Sequence, residues 1–131
     1  MKAISIKQPF VGWILEGKKT LEIRSWPTKI RGDILICSSK LPKIGTNPLG
    51  HALAIVEMAD CIEFLPEHET FACCKYDDDY FEFAWVFKNV RLIKPFPVKG
   101  KLGFYEVPLQ PALQIYAHQY IGYQSAISSP A

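Results

Sequence analysis

Net charge is scarce in this chain. Its 15 lysines and arginines are almost balanced by 13 aspartates and glutamates, leaving +2 over 131 residues. A protein that wraps nucleic acid over its whole surface needs a large basic excess, so any polyanion site here has to be a local patch. Metal-binding patterns are also missing. The three histidines (His51, His68, His118) are scattered, and the four cysteines (Cys37, Cys61, Cys73, Cys74) form no C-x-x-C pair. His68 precedes Cys73 at a spacing that matches no zinc pattern, so neither a metal nor another cofactor is expected. Without a secretion signal the cysteines read as reduced thiols. No apolar run approaches the roughly 20 residues of a membrane helix. The first six residues read as a strand and not as a signal or transit peptide. A cytoplasmic protein is the expectation. Internal repeats and low-complexity tracts are absent too.

What is present is a core. Apolar residues make up 49% of the chain, which excludes wholesale disorder. The 131 residues suit a single domain with one hydrophobic interior. Residues 41–50 and 94–100 read as turn-rich loops inside that domain, and the small polar residues 124–131 as a frayed tail. Strands are expected over 3–6, 20–24, 33–38, 51–62, 81–93 and 102–107. Residues 52–56 are apolar on both faces, as in a central or strongly curved strand. Pro9 opens a helix whose apolar positions include Phe10, Trp13 and Ile14, with Trp13 expected in the core, and Gly17 closes it. Residues 66–74 and 112–120 read as further short helices. Strands with an early helix and one or two later capping helices make an α+β protein built on a small β-barrel.

Chemistry concentrates in residues 17–40. Side chains alternate along a strand, so Glu22 and Arg24 share one face while Leu21 and Ile23 point into the core. Arg24 can hold a planar anion or phosphate with Glu22 orienting it. Lys18 and Lys19 sit in the preceding turn, within reach of the same place. Trp26 offers a flat surface for a base. Ser38, Ser39 and Lys40 close the next strand with two hydroxyls and a cation suited to phosphate. Lys7 and Gln8 stand at the mouth of the first helix, beside backbone N–H groups that favour anions, and Gln8 carries both a donor and an acceptor.

Each feature has a plainer reading. An exposed Glu22–Arg24 pair contributes little, and tryptophans are more often core or rim residues than base platforms. Asp77-Asp78-Asp79 reads as a solvated loop, since consecutive carboxylates point in different directions. The density of the first forty residues is what lifts the functional reading above these.

In order along the chain, Ser5-Ile6-Lys7-Gln8-Pro9, then Gly17-Lys18-Lys19-Thr20-Leu21-Glu22-Ile23-Arg24-Ser25-Trp26, then Arg31-Gly32 and Ser38-Ser39-Lys40, resemble the ASCH domain (activating signal cointegrator homology). Residues 83–87, 95–100 and Gly103-Phe104-Tyr105 look like the C-terminal half of that family, so the resemblance spans residues 3 to 107. It implies a β-barrel similar to PUA domains, with a cleft beside the first helix suited to RNA or a modified nucleoside. Matching motif to motif, the cleft would be lined by Lys7, Gln8, Lys19, Glu22, Arg24, Trp26, Ser38, Ser39 and Lys40. Some small relatives are amidohydrolases that deacylate N4-acetylcytidine through a lysine, a threonine and a glutamate, reading K-T-x-T-x-R. Here that run is Lys19-Thr20-Leu21-Glu22-Ile23-Arg24, so the second threonine is replaced by Glu22. Other relatives are ribonucleases.

Three functions are therefore in view. The first is a module that binds RNA or a nucleotide. The second is a hydrolase, either amidohydrolase or ribonuclease. Its catalytic groups would be Lys19, Glu22 as general base, and Arg24, with Arg24 or Ser38 stabilising the developing anion. The third is a protein-binding domain whose signature residues brace the barrel mouth. The lack of a clear nucleophile–base pair favours binding.

Overall fold

The computed structural model describes residues 1–108 and residue 115. Short apolar runs make β1 (Lys2–Ile6) and β3 (Gly32–Ser38), which pair in parallel, Ala3 opposite Leu35 and Ile6 opposite Ser38. A parallel pair needs a crossover connection. This one carries the helix α1 (Phe10–Leu15) and the strand β2 (Leu21–Arg24), which lies at the far edge of the sheet. Two long antiparallel strands, β4 (His51–Glu63) and β5 (Phe83–Pro97), form the middle, and β6 (Phe104–Glu106) pairs with β1. The order is β2-β5-β4-β3-β1-β6. Register slips three times between β4 and β5, and bulges of this kind bend and twist strands. The six-stranded sheet consequently curls into a half-barrel. The curl brings the edge strand β2 up to β1, the fifth strand in the order: Arg24 donates to the Ser5 carbonyl at 3.4 Å. The class is α+β, as expected.

Alternation sorts the apolar residues onto two faces. Ile4, Ile6, Ile34, Ile36, Val56, Met58, Trp85 and Phe87 gather with Val11 and Ile14 of α1, while Ala3, Leu35, Cys37, Ile55, Ile93 and Tyr105 fill the opposite side. Burial on both faces explains the unbroken apolar run in β4. Trp85 is fully buried, stacks on Phe104 at 5.2 Å and donates from its indole to the Trp26 carbonyl at 3.2 Å. Each large side chain buried this way contributes about 1.5–3 kcal/mol.

Several local expectations are corrected. The buried stripe of α1 is Val11, Ile14 and Leu15, an i, i+3, i+4 pattern. Trp13, expected in the core, lies beside Phe10 in an edge-to-face pair at 5.5 Å, and Phe10 is 37% exposed. A helix of six residues has one narrow face to bury, and these rings are off it. Residues 94–97 are strand and not loop, because β5 runs on through Pro95 to Pro97. β2 covers only Phe83 to Val86 of β5, so the prolines fall where β4 is the only strand neighbour among the described strands, as on a sheet edge. The helix expected over 66–74 is a 3₁₀ turn (Pro66–His68) followed by α2 (Glu69–Ala72), closed by Cys73 at a φ of 56°. The helix expected over 112–120 and the tail over 124–131 lie outside the described residues. All four cysteines are free thiols. Among the described residues, no helix is long and apolar enough to cross a membrane.

Candidate functional site

The site is built on the alternation of β2. Leu21 packs with Phe64, Ala72 and Ala84, which turns Glu22 and Arg24 to the other face. There Glu22 Oε2 accepts from Arg24 Nε at 3.0 Å and lies 2.8 Å from Nη2 in an ion pair, while Glu22 Oε1 lies 3.6 Å from Lys19 Nζ. Gly17, at a φ of 79°, ends α1 and lets the Lys18 and Lys19 amides both donate to the Trp13 carbonyl. That turn aims Lys19 inward. Its Nζ donates to the Leu21 and Ala72 carbonyls, each at 2.6 Å. Two carbonyls thus take two of the three N–H donors of the ammonium, and the Glu22 carboxylate balances its charge. Lys19 is 3% exposed and Glu22 7%, a depth at which a charge is tolerated only when paired and hydrogen-bonded. Arg24 is held at its other faces by aromatic rings, its Cζ lying 5.5 Å from the Trp26 ring and 5.7 Å from Trp85.

This row of charges forms one wall of an open cavity of about 420 Å³. Lys7, Lys19, Arg24, Lys101 and Glu22 line it together with Ser5, Ser39, Cys74, Phe10 and Leu102. The volume is of the size that takes a small ligand such as a nucleotide. Four cations face one carboxylate, a local excess of three where the whole chain has +2. Burial pushes the Cys74 thiol above its ordinary range, against the opposing pull of Lys19. At neutral pH the group is therefore a thiol and a weak nucleophile. Behind Ser5, the Tyr105 hydroxyl hydrogen-bonds Ser5 Oγ at 2.6 Å.

Five of the residues singled out from sequence converge here: Lys7, Lys19, Glu22, Arg24 and Ser39. Four stand elsewhere. Trp26, 41% exposed, packs edge-on against Trp85 and touches the cavity only through Arg24. Ser38 is 1% exposed and its Oγ donates to the Pro48 carbonyl and accepts from the His51 amide, tying the 41–50 loop to the sheet. Lys40 is exposed and lies over Gly50. Gln8 is buried, with its Oε1 accepting from the Gly12 amide and its amide group facing Gly45. Sequence reasoning missed Ser5, Phe10, Cys74 and Lys101 as lining residues. Alternation in β1 carries a signal for Ser5, which must face away from Ile4 and Ile6. Lys101 has none, because only the pairing of β6 with β1 brings its loop across.

A model of the ASCH domain family matches residues 4–97, and the chain belongs to that family. No curated protein is matched in sequence. Among solved structures, the ASCH protein of Zymomonas mobilis is 15% identical with a TM-score of 0.62, covering 81% of this chain and 86% of that one. Its serine-to-alanine variant aligns at 16% identity and a TM-score of 0.61, covering 81% and 87%. A tyrosine-to-phenylalanine variant aligns at 14% and 0.59, covering 81% and 88%. At these identities the likeness concerns the fold, which is the α+β, PUA-like half-barrel of ASCH domains.

Proposed function

We propose that this ASCH domain binds RNA or a nucleotide in the cavity beside α1, its phosphate held by Arg24, Lys7 and Lys101. The observation that carries the reading is the gathering of four cations around one buried carboxylate in a nucleotide-sized space. Arg24 is fixed in advance by Glu22 and two rings, so little side-chain freedom is lost when an anion arrives. The exposed Lys7 and Lys101 add charge at the mouth. Phe10 offers a ring edge or face to a base.

Hydrolysis finds less support in the same geometry. Lys19 is anchored by hydrogen bonds to two carbonyls and by its charge on Glu22. Glu22 has one oxygen on Arg24 and the other turned toward Lys19, so its carboxylate serves to position the two cations. The one thiol in the wall, Cys74, is protonated at neutral pH.

Fluorescence anisotropy with a short labelled RNA tests the proposal. Arg24→Ala and Lys101→Ala should each weaken binding, and each should lower the slope of log affinity against log salt by about 1. Wild-type binding by both variants would move the site elsewhere. Mass spectrometry of RNA and N4-acetylcytidine incubated with the protein checks the hydrolase reading. Scission or deacetylation that disappears in Glu22→Gln would establish that reading instead.

A further inference from the structure

Charge in this chain is strongly segregated. Seven of its 13 acidic residues fall between Glu63 and Glu82, where Lys75 is the one cation. That segment carries six net negative charges and the rest of the chain eight net positive ones, a division concealed by the +2 total. It comprises the end of β4, the 3₁₀ turn, α2 and the loop that leads into β5. Its inner side belongs to the fold. Phe64 and Ala72 are buried against Leu21 and Ala84, Tyr76 meets Phe64 edge-on at 5.9 Å, and the Tyr76 amide donates to Glu69 at 2.6 Å.

Its outer side is unlike ordinary solvated loop. Phe71, Tyr80 and Phe81 are 56%, 64% and 66% exposed, the most exposed aromatic residues among those described. Phe81 is braced by Phe83 at 5.2 Å, edge to face. A run of carboxylates alone would be explained by solvation; large rings standing among them would not. Rings of this size are the side chains that anchor protein interfaces. Carboxylates around them repel a polyanion, so a nucleic acid is the wrong occupant for this face, as the cavity's cations make it the right one for that.

We propose that this acidic, ring-bearing face docks a basic protein segment that also carries aliphatic or aromatic side chains. Arginines of such a segment would meet Asp77, Asp78, Asp79 and Glu82 while stacking on Tyr80, and its apolar side chains would pack on the Phe81–Phe83 pair. The proposal stands apart from the nucleotide reading, since it uses other residues and the opposite charge.

The test is anisotropy with short labelled peptides, one alternating arginine and leucine and one alternating arginine and serine, at physiological salt. The arginine–leucine peptide should bind the wild-type protein. It should bind about tenfold more weakly, the scale of an interface hot spot, to the double variant Tyr80→Ser/Phe81→Ser and to the triple variant Asp77→Asn/Asp78→Asn/Asp79→Asn. These positions are exposed, and thermal unfolding confirms that both variants remain folded. The proposal is overturned if the wild type fails to bind, if the variants bind as wild type does, or if the arginine–serine peptide binds equally well. Sedimentation of the protein alone supplies the last arm. Monomer supports a separate partner; self-association lost in Tyr80→Ser/Phe81→Ser gives the face to a second copy and overturns the proposal.

Discussion

Two arginine–carboxylate pairs in this molecule look interchangeable on paper and are not. Arg91 grips Asp33 with two nitrogens on two oxygens, at 2.6 and 2.9 Å. Arg24 grips a single oxygen of Glu22, at 2.8 and 3.0 Å. By hydrogen-bond geometry the first pair is the better one. Yet the Asp33 side chain is 50% exposed and the Glu22 side chain 9%. Asp33 has its arginine and solvent, whereas Glu22 is shared with Lys19 and faces a cavity. An ion pair therefore says little about a site; burial, sharing between two cations and an adjoining cavity say more. Exposed pairs contribute about 0–1 kcal/mol, while removing one partner of a buried group costs about 3–5 kcal/mol because the remaining charge is stranded.

Glu22→Ala tests the contrast where it should be largest. The substitution leaves Lys19 and Arg24 without their common anion, and the expected loss is about 3–5 kcal/mol. Urea unfolding reads it as a lower midpoint at unchanged slope. Glu22→Gln keeps two acceptor–donor contacts and should lose less. A loss from Glu22→Ala no greater than that of an exposed pair would erase the distinction.

How much of this could be read beforehand follows the range of each interaction. The common face of Glu22 and Arg24 was legible because strand alternation is local and β2 is regular. Ser38 and Ser39 illustrate the limit. Both were candidates, but the strand ends between them, so the first is buried in the sheet and the second turns to the cavity. Lys19 read as a turn residue within reach of the Glu22 face, but its burial was not legible, because the Ala72 carbonyl that receives it lies 53 residues further on. Lys101 arrives through the curl of the sheet, which no local pattern encodes. In β5, Pro95 and Pro97 signalled a loop where the strand continues, because the effect of a proline depends on which neighbour the strand lacks. The α+β class and most strand positions rested on periodicity and survived; the cavity rests on closure of the sheet, which periodicity does not encode, and only the family resemblance implied a cleft there.

Lys19→Met sharpens the comparison at intermediate size. Methionine fills similar space but leaves the Leu21 and Ala72 carbonyls without the donor they share. Glu22 keeps Arg24. The expected loss is about 1–3 kcal/mol, below that of Glu22→Ala, again by urea unfolding. Were Lys19→Met the costlier of the two, the ammonium and not the carboxylate would be the centre of the buried row.

The smallest effect belongs to Asp33→Asn, about 0–1 kcal/mol at neutral pH. Its pH dependence is what makes it informative. Hydrogen bonding to Arg91 holds the Asp33 carboxyl below the usual carboxylate range. A depressed value in the folded state means the unfolded chain takes up a proton first as acid is added. The stabilisation is then complete above the unfolded value of about 4 and is lost as pH falls through the folded one. The stability difference between wild type and Asp33→Asn should hold from neutrality down to about pH 4 and close below it. It should also shrink in molar salt, as expected of a pair open to solvent. A difference that persisted in acid and in salt would mean that Asp33 acts by packing, and the two arginine pairs would then differ only in degree.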